Sequence, residues 1–145
     1  MERKAGVECI FCQIIGGQRA GDIVREEKET VSFLDHRPLF PGHCLVAPRA
    51  HHVTLPDLPT ALLEPLFGHA RRLARAMETV LGADGSFLAV NNKVSQSVPH
   101  LHVHVVPRRR QDGLKGFFWP RQDYRDEAER EAVRRALAVH LRDNP

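Results

Sequence analysis

Three observations on the amino-acid sequence predict an α+β domain. Five short segments are apolar or alternate between polar and apolar residues, and β-branched residues are frequent in them, as in β-strands. One long segment repeats apolar residues at three- and four-residue steps, as an amphipathic helix does. A later segment carries acidic residues first and arginines last, which is the charge order that the helix dipole favours.

The predicted strands are short and fall on both sides of the long helix. They cover residues 23–26, 29–34, 43–48, 87–91 and 100–106. A short apolar helix or turn over residues 9–15 ends at Gly16-Gly17, and residues 35–42 form a loop rich in proline and glycine. The result is five short strands and one long crossing helix.

The two helices are predicted from periodicity and from the residues at their ends. The long helix covers residues 57–81, with Asp57 as a plausible N-cap and Gly82 as a plausible stop. Asp84-Gly85 then makes a turn before the fourth strand. The second helix covers residues 127–141.

Length and composition indicate one domain over residues 1–145, with no internal repeat and no linker. The 42% of hydrophobic residues contain no run near the ~18 residues of a membrane span. No long apolar segment follows the charged first residues, so we expect no signal peptide and a cytoplasmic location. The net charge of +3 weakly favours anionic ligands. We expect no nucleic-acid partner, because a basic and aromatic RNA-binding pattern is missing from the sequence.

Three histidines dominate the fifth predicted strand. His100, His102 and His104 alternate with aliphatic residues, so a strand would place all three imidazoles on one face and the aliphatic side chains in a core. Imidazole is the commonest neutral metal ligand and titrates near neutral pH. Three histidines on one face of a strand therefore predict a functional site.

The segment Pro-His-Leu-His-Val-His-Val-Val over residues 99–106 resembles the His-x-His-x-His-x-x signature of the histidine-triad family of nucleotide hydrolases and transferases. Residues 90–92 and 96–98 resemble that family too, and the similarity runs from about Cys9 to Pro107. The resemblance implies a five-stranded, mainly antiparallel sheet with helices packed on it, and a homodimer. It also divides the domain into a core at about 9–107 and a C-terminal flap and helix at 108–145.

A Cys-x-x-Cys pair at Cys9 and Cys12 offers two thiolates to a metal. Zinc needs four ligands, so two more have to come from elsewhere, and the sequence offers His51 or His52 together with His100. By analogy with zinc-bearing members of the family, the ligands are Cys9, Cys12, His51 and His100, with His51 favoured by its Pro-x-x-His spacing. Such a zinc would be structural. The alternatives are a reduced cysteine pair near the core or a redox pair, although no βαβ pattern accompanies it.

The resemblance also implies a catalytic set. His102 would be the nucleophile that attacks an α-phosphorus, with its second ring nitrogen held by an acceptor such as a backbone carbonyl on the neighbouring chain. His104 would contact the phosphate oxygens as an imidazolium or as an N–H donor. Ser97 matches the position that donates to the leaving group, and turn formation is its structural alternative.

The nucleotide itself would lie across an apolar slot and several polar groups. Asp35 matches the residue that accepts both ribose hydroxyls, Asn91 lies near the phosphate or ribose, and Gln96 belongs to a turn whose N–H groups could cradle phosphate. The slot and its edge are assigned to Ile10, Phe11, Ile14, Phe33 and His36. Two positions depart from the family pattern: His36 stands where an apolar residue is frequent, and Ser95 replaces a glycine.

The sequence therefore predicts a hydrolase of nucleoside 5′-phosphoramidates or related adenylyl compounds that acts through a nucleotidyl-histidine intermediate and releases a nucleoside monophosphate. Hydrolysis of dinucleoside polyphosphates and cleavage of adenylyl sulfate are alternatives within the family. A nucleotide-binding interaction module and a zinc-dependent nucleic-acid binder are alternatives of another class. The aromatic segment at 113–121 is either a flap or an anchor for the last helix.

Overall fold

The computed structural model describes residues 9–115 and 121–144, which fall into two units that divide after Asp112. The first unit holds helix α1 (Ile10–Ile15), a five-stranded sheet and helix α2 (Leu63–Leu81). The second holds helix α3 (Glu127–Asp143), which begins where the Asp126 carboxylate accepts a hydrogen bond from the Glu129 N–H. None of the described helices is long and apolar enough to cross a membrane. The central aromatic residues of the predicted flap, 116–120, lie outside the described residues.

The α+β prediction is confirmed, and so is the five-stranded sheet. The strands are β1 (Ile23–Glu26), β2 (Thr30–Leu34), β3 (Cys44–Pro48), β4 (Gly85–Ala89) and β5 (Val103–Arg108). Their order across the sheet is β1-β2-β3-β5-β4, and every neighbouring pair is antiparallel.

The histidine-bearing strand begins later than the sequence predicts. Strand β5 starts at Val103, because the Leu101 N–H bonds to the His52 carbonyl and the His100 N–H bonds to the Val98 carbonyl, outside the sheet. At its other end the strand continues through Pro107, which is paired with Ser86 of β4 but not with β3. The pairing between β3 and β5 ends at Val105. The alternation nevertheless extends backwards beyond the strand, since Leu101 is as fully buried as Val103.

Helix α2 also begins later than predicted, and Asp57 is not its N-cap. Leu58 precedes Pro59, which disfavours the helical conformation, and its backbone is extended with a ψ of 127°. The segment before α2 therefore forms two short 3-10 helices, Leu55–Asp57 and Thr60–Leu62, and Asp57 closes a capping box with Thr54 in the first of them. The predicted stop is confirmed: Gly82 ends α2 in the left-handed region with a φ of +65°.

The sheet has an apolar layer on each face, and this arrangement positions the histidines. On one face α2 buries Leu66, Ala70, Leu73 and Met77 against side chains of the sheet that include Leu101, Val103 and Val105. The opposite face carries a second cluster formed by Phe11 of α1 with Val31, Phe33, Leu45 and Ala47. Because side chains alternate along the chain, the three histidines lie on this second face, toward α1.

Candidate active site

A cavity of about 350 Å³ opens on the α1 side of the sheet. Its walls come from α1, the connector to β1, the end of β2, and the chain that leads into β5. The predicted site residues that line it are Ile10, Phe11, Ile14, Phe33, Asp35, His36, Ser97, His102 and His104. Asn91 and Gln96 are not among its lining residues.

The floor of the cavity follows one row of residues across the sheet. Phe33 of β2 lies opposite Leu45 of β3, and Leu45 lies opposite His104 of β5. Phe11 closes the space above this row with ring contacts to Phe33 at 5.1 Å and to His102 at 4.9 Å. The histidines therefore occupy one end of an apolar trough that runs toward the first strand.

His102 is held in one tautomer by the backbone. Its Nδ1 lies 2.7 Å from the His100 carbonyl oxygen, so Nδ1–H donates and Nε2 keeps its lone pair. The acceptor lies two residues earlier in the same chain, and not on the neighbouring chain as predicted. His102 is 5% exposed and lines the cavity, and its Nε2 makes no hydrogen bond with any of the described residues.

The tautomer of His104 is set by a residue that the sequence analysis missed. His43 Nδ1 lies 3.1 Å from the Leu39 backbone nitrogen, and His43 Nε2 lies 3.0 Å from His104 Nδ1. Because the Leu39 N–H can only donate, His43 accepts at Nδ1 and carries its proton on Nε2. His43 Nε2–H donates a hydrogen bond to His104 Nδ1, so the neutral His104 carries its own proton on Nε2.

Burial keeps both histidines neutral near pH 7. Burial lowers the pKa of His102. The hydrogen bond from its ring to the His100 carbonyl and the charge of Asp35 raise the pKa, but their effect is smaller. Burial, with smaller effects from His102 and His43, lowers the pKa of His104 to about 4. His102 is therefore available as a neutral nucleophile and His104 as a neutral N–H donor.

Asp35 lies beside this histidine pair. One carboxylate oxygen accepts a hydrogen bond from the Arg37 N–H at 2.9 Å, and the other is 3.6 Å from His43 Nε2. Asp35, His43 and His104 bring their ligand atoms within 4.8 Å of one another, as metal ligands would. The hydrogen-bond chain argues against a metal here, because the His43 nitrogen that would bind it already carries a proton.

The loop before β5 places the other predicted polar residues. Ser97 lies exposed at the cavity, and Asn91 is half-buried outside it. The Gln96 side chain accepts from the Lys93 N–H at 2.8 Å and donates to the Val53 carbonyl at 2.6 Å, which fastens the loop. The catalytic role predicted for Ser97 and the nucleotide-binding roles predicted for Asn91 and Gln96 stay predictions.

A second cluster joins the two thiols to two imidazoles. The Cys9 sulfur lies 3.5 Å from His100 Nδ1, and the Cys12 sulfur lies 3.4 Å from His100 Nδ1 and 3.3 Å from His51 Nδ1. Sulfur and nitrogen ligands of a tetrahedral zinc stand about 3.5 Å apart, given bonds of about 2.3 and 2.0 Å. Cys9, Cys12, His51 and His100 could therefore bind one metal ion, and His52 is not part of the cluster.

The surroundings of the cluster suit a cation. His100 Nε2–H donates to the Pro48 carbonyl at 2.8 Å, which directs the lone pair on Nδ1 toward the sulfurs, as in many zinc sites. Burial, then the hydrogen bond and charge of Cys9, raise the pKa of Cys12 to about 11. A metal ion would supply the positive charge that two adjacent thiolates need.

A comparison with protein families identifies the family to which the chain belongs. The HIT domain model matches residues 17–111, which is more than half of the chain. The chain belongs to the HIT domain family. An uncharacterized HIT-like protein of Mycobacterium tuberculosis is 37% identical over 135 residues, which cover 90% of this chain and 93% of that protein.

HIT relatives with a stated activity act on small nucleotides. The adenosine 5′-monophosphoramidase of Saccharomyces cerevisiae is 34% identical over 79% of this chain and 72% of its own length. An adenylylsulfatase of Arabidopsis thaliana is 31% identical over 74% of this chain and 55% of its own length. The crystal structure of a Zn-bound histidine triad family protein from Mycobacterium smegmatis has a TM-score of 0.72, is 34% identical, and covers 96% of this chain and 99% of that one.

Proposed function

We propose that this HIT protein hydrolyses nucleoside 5′-phosphoramidates or related adenylyl compounds through a nucleotidyl-histidine intermediate on His102. One observation carries the proposal: the bond from Nδ1–H to the His100 carbonyl leaves Nε2 of a buried, neutral imidazole as the lone-pair nitrogen beside the cavity. The activity of the yeast relative, an adenosine 5′-monophosphoramidase, supports this choice of substrate.

The reaction takes place in two displacements. His102 Nε2 attacks the α-phosphorus, a bond from nitrogen to phosphorus forms, and the bond to the leaving amine breaks. The amine departs with a proton, which the hydroxyl of Ser97, a residue that lines the cavity, would donate. Water then attacks the same phosphorus and passes one proton back to the Ser97 oxygen, the bond to His102 breaks, and the nucleoside monophosphate leaves.

His104 stabilises the charge that builds on the phosphate oxygens in both steps. Its Nε2–H is the free donor of a ring whose other nitrogen is occupied by His43. A donor fixed before the reaction needs no reorganisation, and removal of one such donor typically costs about 10²–10³-fold in rate. Asp35 and the trough from Phe11 to Phe33 would hold the ribose and the base.

The test is the intact mass of the protein after brief mixing with adenosine 5′-phosphoramidate, followed by an acid quench, with release of AMP measured in parallel. We expect an adenylyl adduct on the wild type, none on His102→Ala, and loss of AMP release in that variant. His140→Ala, a histidine on α3, serves as the control and keeps both. Adenylyl sulfate and a dinucleoside tetraphosphate are tested in the same way, because the alternatives differ in leaving group only. AMP release that survives in His102→Ala would refute the mechanism.

We propose zinc as the metal of the thiol and imidazole cluster, in a structural role. Four protein ligands close a tetrahedral zinc and leave no position for a substrate. The Zn-bound relative from Mycobacterium smegmatis supports the identity of the metal. The ion would connect α1, which carries Cys12, to the chain before β5, which carries His100.

We also propose a homodimer in the cytoplasm. Strand β4 is the last strand of the described sheet, so one of its edges is available for a second copy of the chain. Leu88 on this strand and Phe67 on α2 are exposed apolar side chains. The thiols of the metal cluster suit a reducing compartment. Light scattering during size-exclusion chromatography gives the mass, and a monomer at micromolar concentration would argue against the dimer.

A further inference from the structure

The far end of the cavity carries two charged side chains that the proposed mechanism does not use. Arg19 and Asp22 belong to the connector between α1 and β1, and both line the cavity. The connector is fixed to the sheet where the Leu34 N–H donates to the Asp22 carbonyl at 2.9 Å, next to the pair formed by Ile23 and Phe33.

The distance across the sheet from His104 to the connector matches the distance from the phosphate of a nucleotide to the far edge of its base. The row from His104 through Leu45 and Phe33 to Ile23 crosses three gaps between strands, each of about 4.8 Å. When the phosphate of a nucleotide lies at His104 and its sugar lies beside Asp35, its base therefore lies over Phe33. The hydrogen-bonding edge of that base then faces the connector.

Both charged groups are available for a ligand. The guanidinium of Arg19 and the carboxylate of Asp22 make no hydrogen bond or ion pair with any residue that the structure describes, and both residues are exposed at the cavity. His36, the other polar residue at this end, has an 89% exposed side chain and lies 3.8 Å from a carboxylate oxygen of Asp35. Arg19 and Asp22 thus form the free donor and acceptor pair of an otherwise apolar slot.

We propose that Arg19 and Asp22 read the base and give this enzyme a preference for guanine nucleotides; the inference rests on the proposed function. Guanine presents two adjacent acceptors, O6 and N7, which match the two donors of a guanidinium. It also presents two adjacent donors, N1–H and the 2-amino group, which match the two oxygens of a carboxylate. Adenine presents neither pair, so it makes at most single bonds to each side chain.

The experiment compares guanosine and adenosine 5′-phosphoramidates as substrates, by kcat/KM, and GMP and AMP as ligands, by calorimetry. The variants are Arg19→Gln and Asp22→Asn, and the controls are Arg71→Gln and Glu78→Gln on the exposed face of α2. We expect the wild type to favour guanosine about tenfold, since one well-formed bidentate pair discriminates by about 1–3 kcal/mol. Each cavity variant removes one of the two pairs and should lose part of this preference, and the double variant should lose most of it. The values for adenosine should change little, and the controls should keep the preference.

The two proposals fail in different ways. Equal kcat/KM for the two nucleosides, or an equal loss for both in Arg19→Gln, would overturn the guanine preference while the hydrolase stands. If neither phosphoramidate is cleaved, the hydrolase proposal fails, and the binding of GMP against AMP still decides the base preference. Tighter binding of AMP, or no binding of either nucleotide, would overturn it.

Discussion

The hydrogen-bond chain from Leu39 through His43 to His104 predicts that His43 is a positioning residue for catalysis. His43 is 3% exposed and occupies both of its ring nitrogens, one with the Leu39 N–H and one with His104. Replacement by phenylalanine keeps the ring and removes the donor. His104 can then rotate, and its proton can move to Nδ1, where it no longer faces the phosphate.

The size of the effect follows from these two losses. A buried neutral hydrogen bond contributes about 1 kcal/mol of orientation, which corresponds to about fivefold in rate. Equal population of the two tautomers removes about half of the active form. His43→Phe should therefore lower kcat/KM about tenfold, whereas His43→Gln, which keeps an N–H near the position of Nε2, should lose only about twofold.

A double-mutant cycle with His104→Ala separates positioning from general damage to the fold. If His43 acts through His104, His43→Phe should cost less than about twofold once His104 is gone, because coupled residues are not additive. The ¹⁵N chemical shifts of the His104 ring should report Nε2–H in the wild type and a tautomer mixture in His43→Phe. An equal cost of His43→Phe in both backgrounds, or an unchanged tautomer, would refute this reasoning.

Three further predictions concern metal binding, backbone strain and pH. Elemental analysis should find about one zinc per chain in the wild type and in Cys44→Ala, and far less in Cys12→Ser, because Cys12 belongs to the four-ligand cluster and Cys44 does not; equal zinc in all three would contradict the site. Ser95→Gly should raise the free energy of unfolding in urea by up to about 1 kcal/mol, because Ser95 has a φ of +59° that favours glycine, and Ser86→Gly in β4 should lower it. Burial lowers the pKa of His69 from 6.5, with Glu27 opposing the shift and Arg72 and Arg25 adding to it. As the pH falls, the unfolded chain therefore binds a proton on the His69 ring at a higher pH than the folded chain does. The stability that this group contributes is lost as the pH falls below 6.5. His69→Gln should lose less stability than the wild type between about pH 7.5 and 5.5, and an equal loss would show that His69 does not contribute.

The elements of the fold were predictable because their signals are local. The apolar period of α2 and the alternation around His102 are properties of short segments, and each survives in the structure. The start of α2 was not predicted, since the periodicity continues through Pro59 while the backbone at Leu58 does not. The period of the side chains says which face is apolar, but the residue before a proline decides where a helix can begin.

The sequence indicated which kinds of residue form the candidate site, but not the hydrogen bonds that connect them. The Cys-x-x-Cys spacing indicated a metal cluster with His100 and either His51 or His52, and the resemblance to the family favoured His51. His43 carried no such signal: it stands alone before a strand, and its role depends on the turn that brings the Leu39 N–H to its ring. Gln96 was predicted through the backbone N–H groups of its turn, and that contact with phosphate stays a prediction. Its side chain bonds to Lys93 and Val53, a structural role that the sequence did not indicate.

His100 connects the two clusters and explains why both occur at one segment. Its side chain belongs to the thiol cluster through Nδ1, and its carbonyl oxygen accepts a hydrogen bond from His102 Nδ1–H. Phe11, one residue before Cys12, lies against the His102 ring. A metal ion that fixes Cys12 and His100 would thereby fix the acceptor that sets the tautomer of His102 and the ring that packs on it. A structural metal can in this way support the nucleophile without touching the substrate, because an alternating chain places the carbonyl of one histidine within reach of the next.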